Sequence, residues 1–255
     1  MQDLHIDTGT ARVMAWSGVA LVISLVIAQG VLMGFIPPPS PALKADEIAH
    51  LFIDRKLRIR IGTLIECIGF TFYLTWSMSI VFFMRRMERG MPVLSYTAIA
   101  NAGGGYVFFL LMPITWAALA FRPEMLDPAL LQIANDYVWF VFILSWPPFA
   151  VFMILIAVAV LRDKNPTPIF PRWVGFLNLW TAVLIIPAGL VEFFKIGPFA
   201  YDGAISFWFV WIVFFGWIIG MSVITLRACT AEKRRQLAEQ QSGDEVLIAH
   251  DRLAS

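Results

Sequence analysis

The chain has 255 residues, of which 59% are hydrophobic, 15% aromatic and 15% charged, and its net charge is +1. A soluble domain carries about 25% charged residues, so this composition excludes a water-exposed fold, and the near-neutral balance argues against a nucleic-acid partner. The three histidines (His5, His50, His250) and two cysteines (Cys67, Cys229) do not supply the ligand sets of a bis-histidine haem, a di-iron site, an Fe–S cluster or a zinc ribbon, so neither cofactor nor metal is expected.

A membrane helix needs about 20 mostly apolar residues. Six stretches meet that length, at 14–36, 61–84, 94–121, 137–161, 173–194 and 204–226. The expected fold is an all-α integral membrane protein, a bundle of six transmembrane helices in residues 14–227 between an N-terminal tail, 1–13, and a C-terminal tail, 228–255. The first stretch is too long for the apolar region of a signal peptide, and Asp3 and Asp7 stand where a basic flank belongs.

Cytoplasmic connections collect Lys and Arg. With both termini inside, the inner side holds Arg12, Arg85, Arg86, Arg89, Arg162, Lys164, Arg172, Arg227, Lys233, Arg234 and Arg235, eleven in all. The outer side holds seven: Lys44, Arg55, Lys56, Arg58, Arg60, Arg122 and Lys195. The count puts both termini inside, and the expected location is the cell membrane (inner membrane), as a multi-pass protein with both termini cytoplasmic. The connection before the second span dissents, because it carries five of the outer seven.

In that connection Pro37, Pro38, Pro39 and Pro41 stop the first helix. Ala42, Ala45, Ile48, Ala49, Phe52 and Ile53 then recur at helical spacing, with Lys44, Asp46, Glu47, Asp54, Arg55 and Lys56 on other faces. The pattern predicts an amphipathic helix on the outer interface, leading into the second span. Residues 228–255 read as a partly helical cytoplasmic tail whose Lys233-Arg234-Arg235 either holds it to anionic lipid or is only the positive-inside signal, the second being favoured because three residues fall short of the about 4–8 of a lipid-binding cluster.

Ionisable residues inside a bilayer cost about 2.5–3.5 kcal/mol at a helix centre on insertion scales. Glu66, Asp136 and Glu192, with Arg122 at the end of the third span, all fall toward the outer side. Gly62, Glu66, Gly69, Tyr73 and Ser77 share one small and polar face of the second helix, and Asn178, Thr181, Ala188 and Glu192 share one face of the fifth. Such faces turn inward, so Glu66 and Glu192 are expected to point into one interior. A lone buried carboxylate is costly, so Glu66 is expected to be neutral or to have a partner from another helix, with Arg122 in first place. Pro113, Pro147-Pro148 and Pro187 interrupt three consecutive spans and are expected to splay their outer halves into a cavity. Trp16, Trp116 and Trp173 fit interface belts. Trp139, Trp146, Trp180, Trp208, Trp211 and Trp217 include several too deep for that, and line a pocket or simply pack. The Gly103-Gly104-Gly105 run suggests a close helix contact.

Three functions fit these residues. The first is binding or transport of a hydrophobic or amphipathic small molecule in an outward-facing cavity, with Glu66, Tyr73, Trp116, Arg122, Asp136 and Glu192 as ligand-binding candidates. The second is a cofactor-free membrane enzyme, a lipid isomerase or cyclase, using carboxyl acid and base groups. The third is a non-catalytic subunit of a membrane complex. The expected partners are membrane lipid and a hydrophobic small molecule, and a homo-oligomer or larger membrane complex is compatible with all three.

Overall fold

The protein is described here by a computed structural model covering residues 7–254. Helix α1, Thr8–Leu25, starts on the Asp7 carboxylate, which accepts from the Gly9 and Thr10 amides at 2.9 and 3.2 Å and satisfies amides that have no helical partner. From Val26 to Met33 the helix widens into a π segment, closed by left-handed Gly34 at φ 65°. After the prolines come α2, Ala45–Asp54, and α3, Lys56–Met87. Next are α4, Val93–Leu119, and then α5, Pro128–Leu144, which hands over at Ser145 to α6, Trp146–Arg162. Helix α7, Arg172–Leu184, continues as a 3-10 segment, Ile186–Phe193, and a π segment, Ala204–Phe209, leads into α8, Val210–Ala254.

Six of these stretches are long and apolar enough to cross a membrane: Thr8–Met33, Lys56–Met87, Val93–Leu119, Pro128–Arg162, Arg172–Phe193 and Ala204–Ser242. The chain is a helical, multi-pass membrane protein, with no strand among the described residues. The fourth span starts nine residues before its expected position, because Asp127 caps α5 through the Ala129 amide at 2.9 Å and Pro128 stands at the first helical position. The sixth helix does not end near 226 but runs on into the tail. There the buried Glu232 pairs with Arg86 of α3 at 2.6 Å.

Helix α1 packs on α3 and α8, α3 on α4, and α6 on α4 and α7. The small face of α3 turns inward as its spacing predicts, with Gly62 against Met33 and Gly69 against Ser24 of the first span. At Gly18 the backbone of α1 approaches Trp76 and Ser222 so closely that a methyl group would overlap both. The glycine run in α4 differs from expectation. Only Gly105 meets a neighbour, the Phe149 ring, whereas a Cβ at Gly103 or Gly104 would meet nothing within 4 Å.

Helix α2 buries Ile48, Ala49 and Phe52 and packs mainly on α5, so its apolar stripe faces protein. The end of the bundle that carries α2 is called the α2 end below, and the opposite one the terminal end. Four of the five cations before and within the start of α3 have partners there. Arg55 donates to the Gly34 carbonyl at 2.9 Å and Arg58 to that of Val31 at 2.8 Å, Lys56 pairs with Glu124 at 3.0 Å, and Arg60 lies over the Phe121 ring at 5.4 Å. The first two cover the carbonyls that the end of the first span leaves open, where the helix dipole is negative.

Candidate functional site

Glu66 is fully buried. It stands ten residues into α3, which at 1.5 Å per residue is about 15 Å from Lys56. Its partner is neither Arg122 nor any other cation. Gln29 of the π segment donates from Nε2 to Glu66 Oε1 at 2.6 Å, and the same amide faces Met112 Sδ of α4 at 3.9 Å. The widened turn carries Gln29 toward α3, and its main-chain carbonyl accepts the Phe35 amide at 2.7 Å. Glu66 Oε2 and Gln29 Oε1 are both buried without a hydrogen-bond partner among the described residues.

Two turns along α3, Tyr73 is also fully buried, and its hydroxyl has no partner. The ring stands edge-on to Phe109 of α4 and Phe149 of α6 at 5.3 and 5.5 Å. Those two rings stack on each other at 4.7 Å and form one wall of a cavity of about 50 Å3, whose other walls include Trp146, Ser206, Trp211 and Phe214. That space is room for a few waters. It is nearly all apolar, and Ser145, at the break between α5 and α6, is part of its wall. The space is aromatic-lined, but neither the interrupting prolines nor any of the predicted acids line it.

A second polar locus lies nearer the α2 end. Trp116 is completely buried rather than at an interface. Its Nε1 donates to Asn135 Oδ1 at 3.3 Å, and its ring meets Phe35 at 4.9 Å and Trp139 at 5.1 Å. The cause is the Phe35 ring, which covers Trp116 from the end of the first span and is itself backed by Phe52 of α2 at 6.0 Å. Asn135 Nδ2 and Trp139 Nε1 are buried without partners. Half-buried Asp136 accepts the Tyr201 hydroxyl at 2.9 Å, and the Tyr201 ring stacks on Trp139 at 5.7 Å. Burial, and then the Asp136 carboxylate, raise the Tyr201 hydroxyl well above its usual value. Phe109, Met112 and Trp116 lie on one side of α4 and join the two loci.

Two candidates stand outside this arrangement. Arg122 is exposed with its guanidinium over Phe121 at 5.2 Å. Glu192 is exposed as well, although Asn178, Thr181 and Ala188 of its expected face are buried. Pro187 ends the α-helical winding, and the 3-10 segment has three residues per turn. Ala188 and Val191 therefore share the buried side and Glu192 turns out. Among the described residues no ion pair joins it to Lys195. Trp180, with 65% exposure, faces outward too.

The residue that the hydropathy reading passed over is Gln29. Its signal was present: a lone amide in an otherwise apolar stretch of the first span, as unwelcome in lipid as a carboxyl that can be neutralised. Among the described residues no three His, Cys, Asp or Glu side chains come together as a metal site would require. No family model, no curated protein and no solved structure matches the chain.

Proposed function

We propose that the protein binds an amphipathic small molecule within the membrane. The ligand's polar group sits against Gln29, Glu66 and Tyr73, and its apolar body lies along the aromatic seam between α4, α6 and α8. The observation that carries this reading is the set of three buried atoms with no partner: Glu66 Oε2, Gln29 Oε1 and the Tyr73 hydroxyl. Each unmade hydrogen bond of this kind costs about 1–3 kcal/mol; a ligand hydroxyl donates to Gln29 Oε1 or Glu66 Oε2, and a ligand oxygen accepts from the Tyr73 hydroxyl. Trp116 and Asp136 frame a second polar contact nearer the α2 end. The two π segments, which are rare and gather at functional sites, both lie at this end and mark the entry. In this reading the protein sits in the cell membrane with both termini cytoplasmic, the α2 end faces outward with α2 along the interface, and binding serves uptake or transfer of the molecule.

The test compares organic extracts of the purified wild type, Glu66→Gln and Tyr73→Phe by mass spectrometry. A compound bearing at least one hydroxyl should be retained stoichiometrically by the wild type. Retention should fall about tenfold in each variant, the cost of one hydrogen bond, while detergent melting stays near that of the wild type. Equal retention in all three proteins, or nothing retained beyond bulk lipid, overturns the reading.

A further inference from the structure

At the terminal end, α1 and α8 flank a groove of about 610 Å3, lined among others by Arg12, Trp16, Leu226, Arg227, Thr230 and Arg234. On α8, Val223, Arg227, Thr230 and Arg234 follow at steps of four, three and four, so they form one face. At 1.5 Å per residue, Arg227 lies about 4.5 Å to one side of Thr230 and Arg234 about 6 Å to the other. Arg12 reaches across from α1 and donates to the Thr230 hydroxyl at 2.8 Å. One guanidinium thus holds the hydroxyl, and two more arginines line the same groove about one turn to either side. All three arginines are exposed, and among the described residues none is ion-paired with an acid. Their neighbour Arg235 differs, since it pairs with Glu232 and Glu239, and Glu232 also holds Arg86. Below the cationic rim the wall turns apolar, with Trp16 at 55% and Val223 at 42% exposure.

We infer that this groove binds the headgroup of an anionic phospholipid from the leaflet facing the termini, with the phosphate among Arg12, Arg227 and Arg234 and the acyl chains against Trp16 and Val223. Guanidinium forks match phosphate oxygens, and basic recesses between membrane helices are a recurring form of headgroup site. The apolar wall favours a lipid over a free anion, because it meets chains that inorganic phosphate lacks. The site stands apart from the ligand proposed above and does not depend on it.

The full chain in a non-ionic detergent is titrated, by native mass spectrometry, with dioleoyl phosphatidylglycerol, dioleoyl phosphatidylcholine and inorganic phosphate. The anionic lipid should bind at least about tenfold more tightly than the zwitterionic one, and each arginine changed to Gln should weaken it about fivefold. Arg12→Gln, Arg227→Gln and Arg234→Gln are combined in one variant. A control combining Arg85→Gln, Arg162→Gln and Lys233→Gln loses the same charge outside the groove and should bind as the wild type does. Equal affinity for the two lipids, or an equal loss in the control, overturns the proposal. Displacement of the lipid by millimolar phosphate makes it an inorganic-anion site and overturns it as well. Should the triple variant not fold, Arg234→Gln alone, at an exposed position, carries the same comparison.

Discussion

Gln29 and Glu66 meet across α1 and α3 with 2.6 Å between Nε2 and Oε1, and each keeps its other polar atom buried and unpaired. In Gln29→Leu, Glu66 loses its one donor while remaining fully buried, which should destabilise the protein by about 1–3 kcal/mol. Glu66→Leu strands the amide in the same way. Replacing both partners by Leu removes the polar atoms together and should cost much less than the two single changes summed. A double-mutant cycle in reversible denaturation measures this coupling. Strict additivity would show that the two side chains do not depend on each other.

A methyl group on Gly18 would overlap the Trp76 indole and the Ser222 hydroxyl, which belong to two different spans. Neither is free to yield, since Trp76 is fully buried with its ring against Trp217 at 5.1 Å and Ser222 is tied to the Ile218 carbonyl at 2.8 Å. Overpacking of this kind costs about 1–3 kcal/mol. Gly18→Ala should therefore lower the detergent melting temperature. Gly103→Ala and Gly104→Ala, with open space around the added carbon, should raise it, because Ala is better than Gly in a helix interior by up to about 1 kcal/mol. Equal effects at the three positions would contradict the packing of α1 on α3 and α8.

The spans were legible because the bilayer sets their length and excludes charge, whatever the details of packing. The inward face of α3 was legible for a related reason: Gly62, Glu66 and Gly69 cannot all face lipid at once. What was not legible depended on departures from 3.6 residues per turn. The fifth span changes to 3-10 winding around Pro187, which moves Glu192 from the buried side to the exposed side. The first span widens at Val26–Met33, which brings Gln29 rather than Arg122 to Glu66. Trp116 was placed at an interface because its position near a span end is all that sequence shows. Only the tertiary cover supplied by Phe35 and the α2 end makes it core.

Tyr201 supplies a pH dependence. Burial and the adjacent Asp136 raise its hydroxyl above the ordinary value of 10.0. Below that value the folded and unfolded chains both hold the proton, and the contribution of Tyr201 to stability is intact. As the pH rises past about 10 the unfolded chain releases the proton first, so the folded state loses stability. Tyr201→Phe should remove this alkaline component. At neutral pH the same change forfeits the hydrogen bond to Asp136, worth about 1 kcal/mol. Melting curves from pH 7 to pH 11 test both parts, and an unchanged alkaline slope in Tyr201→Phe would assign the loss to another group.

The structure bears on the orientation of the bundle. Five cations before and within the start of α3 oppose a count that otherwise puts both termini in the cytoplasm. Arg55 and Arg58 are engaged with carbonyls at the end of the first span, Lys56 with Glu124, and Arg60 with the Phe121 ring. Cations held by helix ends, an acid and a ring have a structural reason to be where they are, so their number says little about which side of the membrane they occupy. At the terminal end Arg86 and Arg235 are engaged with acids in the same way, and the cations left there still outnumber those left at the α2 end, so they should decide the topology. A fluorescent protein that matures only in the cytoplasm, fused after Ser255, should therefore be bright. Alkaline phosphatase at the same site should be inactive, because its disulfides need an oxidising compartment. Arg55→Gln with Arg58→Gln should leave both reporters unchanged while lowering the melting temperature, since the carbonyls of Val31, Met33 and Gly34 lose their donors. Active phosphatase after Ser255 would invert the orientation and put the α2 end, with its entry to the Gln29–Glu66 pair, on the cytoplasmic side.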